Sequence, residues 1–143
     1  MANTVEKQVI IDGPSKALIR WYLESDGNEG ELTNYVLLDP NVDFGQPMPL
    51  QLDQDNKPKP KQISILQVWF SGAWFDIELG FDGTVPTKAI TIARDSQFYL
   101  DFRYFRGIKD NTTVDPTGKL TITTRDFAPL GSSGFLVLEL LKN

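Results

Sequence analysis

The sequence contains no cysteine and no histidine in 143 residues. Without cysteine there is no disulfide framework, no thiolate nucleophile and no cysteine-based zinc site. Without histidine the commonest general base and the commonest ligand of a catalytic metal are missing. Basic residues are in the minority, 14 against 19 acidic, giving a net charge of −5. Phosphate recognition depends on clustered lysine and arginine, so nucleic acid is not an expected partner. No apolar run approaches the roughly 20 residues of a membrane-spanning helix. The opening Met1-Ala2-Asn3-Thr4-Val5-Glu6-Lys7 has no charged segment leading into an apolar block, so no secretory signal and no membrane partner are expected. Sustained 3.6-residue periodicity is missing too. These absences point away from an enzyme, with no catalytic residue, cofactor or metal expected.

What is present is alternation. A hydrophobic fraction of 41% and an aromatic fraction of 11% are enough for the core of one domain of this length. Phe75, Ile77, Leu79 and Phe81 alternate with Asp76, Glu78 and Gly80. Leu120 and Ile122 alternate with Thr121 and Thr123, and Leu136, Leu138 and Leu140 alternate with Val137 and Glu139. Strands are expected near 6–11, 16–24, 34–38, 62–70, 73–81, 88–92, 98–105, 119–125 and 135–141, with one or two of these in question. Turn chemistry separates them: Asp12-Gly13-Pro14-Ser15, Ser71-Gly72, Pro116-Thr117-Gly118 and Gly131-Ser132-Ser133-Gly134. The Ser71-Gly72 link between two apolar runs reads as a hairpin. The expected fold is all-β, an antiparallel β-sandwich or jelly-roll-like domain spanning 1–143. A long loop at 39–61 carries five prolines, too many for a central strand, and ends in Lys57-Pro58-Lys59-Pro60-Lys61. The N-terminal stretch Ala2 to Gln8 is either an ordered arm or a frayed end.

Four groups of residues are candidates for chemistry. Asp26, Asn28, Glu29 and Glu31 in Ser25–Glu31 offer oxygens for calcium, but their spacing does not match an EF-hand, and a solvated turn is the plain reading. Asp76 and Glu78 share one strand face about 6.5–7 Å apart, either a glycosidase-type pair or the solvent face of a half-buried strand. Lys57, Lys59 and Lys61 form a basic run in an acidic chain, either a docking arm or a solvated loop. Trp21, Trp69 and Trp74 with nearby tyrosines form either a sugar-stacking platform or core. Parity puts Trp74 with Asp76 and Glu78 on a polar face. It puts Trp69 with Ile63, Ile65 and Gln67, which leaves its face open. An aromatic on a charged face marks an interface, so Trp74, Trp69, Lys57, Lys59 and Lys61 are the expected contact residues.

The stretches "MANTVEKQVIIDGP" and "SDGNEGELTNYVLLDP", then "VWFSGAWFDIELGFDGT", "LDFRYFRGIKDN", "TGKLTITT" and "FLVLELLKN", follow one another in an order that resembles small virion structural proteins of tailed bacteriophages. The chain departs from that pattern at Phe81, where a tryptophan is expected, at Arg106-Gly107 in place of Gly-Gly, and in the added "DNKPKPK" loop. The resemblance implies a non-catalytic component of the particle, first of all a capsid decoration, or cement, protein. Such a protein is assembled in the host cytoplasm, sits on the outside of the head, trimerises, and has the major capsid protein as its partner. A tail or baseplate component is the alternative within the same particle. A carbohydrate-binding sandwich, with Trp69, Trp74 and Tyr99 lining a groove, is the alternative of another class.

Overall fold

Alternation shows most strictly in the strands Lys16–Glu24, Asp76–Phe81 and Ser133–Lys142, whose inward residues are buried at every second position. The computed structural model describes all residues except 1–2, 29, 46–51, 53, 58–60, 73–74, 94–96, 128 and 143, and only the backbone of 97 and 98. Among the described residues it contains strands β1 (Thr4–Asp12), β2 (Lys16–Glu24), β3 (Tyr35–Leu38), β4 (Ile63–Gly72), β5 (Asp76–Phe81), β6 (Thr87–Ile92), β7 (Gln97–Asp101), β8 (Ile108–Lys109), β9 (Leu120–Arg125) and β10 (Ser133–Lys142). The first sheet runs β1-β2-β10-β4-β7, with β8 also on β4; the second runs β3-β9-β5-β6. All pairings are antiparallel. The chain is an all-β sandwich, and among the described residues no helix is long and apolar enough to cross a membrane.

One core fills the space between the sheets. Ile19, Trp21, Leu23, Val68, Phe70, Leu136, Leu138 and Leu140 point inward from the first sheet. Ile77, Leu79, Phe81, Leu120 and Ile122 meet them from the second. Each such side chain contributes about 1.5–3 kcal/mol on burial, which is what holds two sheets together without staples. Trp21 belongs here. It is fully buried, and its indole N–H donates to the carbonyl of Leu37 at 3.3 Å, so it is no part of a sugar platform.

The structure corrects the sequence reading at several points. The Ser71-Gly72 link is not a hairpin turn. Both residues continue β4, and β4 and β5 lie in different sheets. The segment is a corner between sheets, anchored by Phe75, whose buried ring packs edge-on against Phe70 at 5.7 Å and Phe127 at 4.8 Å. Glycine serves here for close approach rather than for turning: Gly72 and Gly134 are register partners, and a Cβ on Gly72 would lie 2.3 Å from the Phe70 ring. The expected strand at 98–105 ends at Asp101 and passes into a 3-10 turn, Arg103–Phe105. The N-terminal stretch is an ordered edge strand from Thr4 onward, paired along β2.

The loop expected at 39–61 is pinned at its start. Asp43 accepts from the amide of Asp39 and pairs with Lys7 of β1. Gly45 donates its amide to Asp12 at the end of β1. Phe44 lies under the ammonium of Lys142, 4.3 Å from ring centre to nitrogen. Of the basic run, Lys57 is exposed and Lys61 half-buried, while Lys59 lies outside the described residues.

Candidate interaction face

The outward side of the first sheet is built by the alternate residues of its strands. Register sets Arg20, Val137, Trp69 and Tyr99 in one row across β2, β10, β4 and β7. Leu18, Glu139, Gln67 and Asp101 make the next, and Tyr22, Phe135 and Ser71 a third. Trp69 reaches this face through a β-bulge. Gln67 opposes Glu139 and Ile65 opposes Leu140, so Leu66 is the extra residue. The bulge flips parity: Ile63 and Ile65 are buried below it, and Val68 and Phe70 above it, leaving Gln67 and Trp69 on the outer side. Counting residues from Ile63 to Trp69 therefore misassigns the tryptophan, and no sequence signal at Leu66 announces the extra residue.

The aromatics of this face associate in cross-strand pairs. Trp69 and Tyr99 stack with centroids 5.2 Å apart and planes 30° from parallel. Tyr22 and Phe135 lie 5.0 Å apart, with the Arg20 guanidinium 5.1 Å over the Phe135 ring. Tyr99 is 49% exposed and Phe135 43%, while Trp69 is half-buried. The polar groups between them are joined in a chain: the Tyr99 hydroxyl donates to Gln67 Oε1 at 2.6 Å, and Gln67 Nε2 donates to Glu139 Oε1 at 3.1 Å. At the end of the row Arg103 grips Asp101 in a two-pronged pair at 2.9 and 2.8 Å. That grip, with the Arg103 amide on the same carboxylate, lowers the Asp101 pKa from 3.8 to about 2. The face thus presents flat aromatic surface in which Asp101 is paired with Arg103, Arg20 stands over the Phe135 ring and Glu139 accepts from Gln67.

The other candidates fall elsewhere. Trp74 and Glu29 lie outside the described residues. Asp76 and Glu78 stand on the outer side of the second sheet, both half-buried. Glu78 sits 3.6 Å from both Lys88 and Arg125. A groove of about 340 Å³ on that side is lined by Glu78, Thr87, Thr121, Thr123 and Asn34. In the acidic loop, Asp26 caps the amide of Asn28, and Glu31 accepts from the Thr124 hydroxyl and the Phe127 amide. Those oxygens hold turns together, and among the described residues no three acidic side chains gather in a metal-holding group. Tyr104 and Phe105, on the turn after β7, were invisible to a reading that ran one strand through 98–105. The signal that marks them is Arg106-Gly107, a turn ending.

No protein-family model, no curated protein and no solved structure matches the chain.

Proposed function

We propose that this protein is a non-catalytic structural component of a tailed-bacteriophage particle, in first place a capsid decoration protein on the outside of the head. The observation that carries the reading is the aromatic outer face of the first sheet, where Tyr22 meets Phe135 and Trp69 stacks on Tyr99. Clustered aromatic surface is what the centre of a subunit contact is rich in. The order of sequence segments that resembles phage virion proteins supplies the biological setting. A decoration protein needs one surface for its own copies and one for the shell. It stabilises the shell by binding the assembled lattice and not the separated subunits. The face serves the first of these contacts, in an oligomer for which a trimer is favoured.

The test is co-sedimentation with shells assembled from the major capsid protein of the encoding phage, stripped of this chain. Saturable binding in hundreds of copies per shell is the expected result. A count of six to a few tens in whole virions would move the protein to the tail or baseplate. One observation favours a second reading. The Trp69–Tyr99 stack beside Gln67, Glu139 and Asp101 is also the layout of a sugar platform, with a flat ring and adjoining hydrogen-bonding groups. Binding of the monomer to a glycan array, with no affinity for shells, would establish that reading in place of the first.

A further inference from the structure

The 3-10 turn after β7 displays two aromatic rings to solvent. Tyr104 is 92% exposed and Phe105 72%, and their rings meet edge to face at 5.3 Å. A turn made of loose chain would have no reason to hold them there, but this one is tied down. The Phe102 amide donates to Leu66 O at 2.7 Å, at the bulge. Phe105 and Gly107 donate to Phe102 O, and Arg106 donates to Arg103 O. Gly107 has φ 89°, and a Cβ there would lie 2.7 Å from the carbonyl of Ile65, so the exit of the turn is fixed against β4. The residue before it, Arg106, occupies the left-handed region at φ 63°, a conformation that disfavours an arginine. The Arg106 and Lys109 side chains have no partner among the described residues, whereas Arg103 is held by Asp101. The tip is locally positive on a chain of net charge −5.

We infer that the turn Arg103–Gly107 is a preformed anchor that inserts Tyr104 and Phe105 into an apolar pocket bordered by carboxylates on the outer surface of the shell. Rigid aromatics lose little freedom on docking, and Tyr and Arg are the side chains that most often dominate an interface. Charge selects the partner. Tip-to-tip contact between two copies would bring Arg106 against Arg106 across a two-fold axis. A carboxylate-rimmed pocket satisfies both the rings and the cation. The two rings cover about 300–500 Å² at most, less than the ~800 Å² per partner of a stable interface. One tip is therefore weak, and the oligomer gains by presenting several at once.

This inference rests on the decoration reading, and stripped shells are the probe. Tyr104→Ala/Phe105→Ala is expected to keep the oligomer and the melting temperature and to lose at least ~30-fold in shell affinity. Arg106→Gly relieves the backbone, so it is expected to melt at the same temperature or higher while binding several-fold more weakly. That combination cannot come from a structural role. Undiminished binding by the aromatic variant overturns the inference and leaves the decoration reading standing; no binding by the wild-type protein overturns both. Loss of the oligomer in the aromatic variant, or tip-dependent binding of the wild-type protein to phosphatidylglycerol–phosphatidylcholine vesicles, assigns the rings to another partner and also overturns it.

Discussion

Asp101 is the last residue of β7, and its carboxylate receives the Arg103 guanidinium and the Arg103 amide together. Both favour the ionised form, which is why its pKa falls from 3.8 to about 2. A folded value below the unfolded one means that the pair stabilises the fold above pH ~4 and ceases to do so as the pH falls through the folded value. The group is open to solvent, so the titration itself is the measurement, not the melting curve. The Asp101 carboxyl is expected to titrate near 2 by NMR, and Arg103→Ala to return it toward 3.8; a wild-type midpoint at the ordinary aspartate value would contradict the pair. Nothing in the sequence announces this contact. Asp101-Phe102-Arg103 is a legible turn opening only once the strand is known to stop there. Trp69 was hidden for the same kind of reason, since the single extra residue at Leu66 reverses every parity argument beyond it. Ile77, Leu79, Leu136 and Leu138, in strands without an interruption at those positions, could be placed inside by counting alone.

At the scale of elements, β10 ends in a buried cation. The alternation that sets Leu136, Leu138 and Leu140 inward continues to Lys142, whose ammonium donates to Asp12 and, at 2.7 Å, to the carbonyl of Gly13. Its side chain is wholly inaccessible, against 18% exposure for Asp12. Asp12 in turn accepts from Gly45, so one pair ties the β1–β2 turn, the last strand and the start of the proline-rich loop. Removing the cation leaves a mostly buried carboxylate with its main counter-charge gone. Lys142→Met is expected to destabilise by about 3 kcal/mol, with Asp12→Asn/Lys142→Met recovering part of the loss, as coupled partners do. Urea unfolding of the two variants checks this, and a Lys142→Met loss below about 0.5 kcal/mol, the size of an ordinary surface substitution, would refute it. Strand existence was legible here while sheet membership was not. The runs 62–70 and 73–81 hold β4 (Ile63–Gly72) and β5 (Asp76–Phe81), but the choice between hairpin and corner depends on Phe75 packing against Phe70 of β4 and on Phe127, residues distant in sequence.

Across the whole molecule the two outer faces differ in their aromatic content. The second sheet shows Glu78, Lys88, Arg125, Thr123 and Asn34 beside the exposed Val36, while the first sets Tyr22, Phe135, Trp69 and Tyr99 among Arg20, Glu139 and Asp101. The paired rings of the first sheet form an exposed aromatic patch of the kind that marks a covering surface. The rings of this face meet in cross-strand pairs and Asp101 is held by Arg103, so association centred on the rings draws chiefly on apolar burial. The expected oligomer in sedimentation velocity therefore persists between low and high salt, unlike contact made by free cations, which is screened within ~10 Å at 0.1 M salt. Tyr99→Lys/Phe135→Lys removes two cross-strand ring contacts and the Tyr99–Gln67 hydrogen bond, so it is expected to lower the melting temperature modestly, to stay folded by circular dichroism and to sediment as a monomer. The same variant is expected to lose 10²-fold or more in shell binding although the Tyr104–Phe105 tip is untouched, since a monomer gives up the gain from several linked contacts, about 10²–10⁴-fold. A lysine variant that still assembles and binds would show that the aromatic face is not what joins the subunits. A wild-type oligomer that dissociates in salt would place the contact on charged surface instead, with the Lys57–Lys61 segment the first to examine.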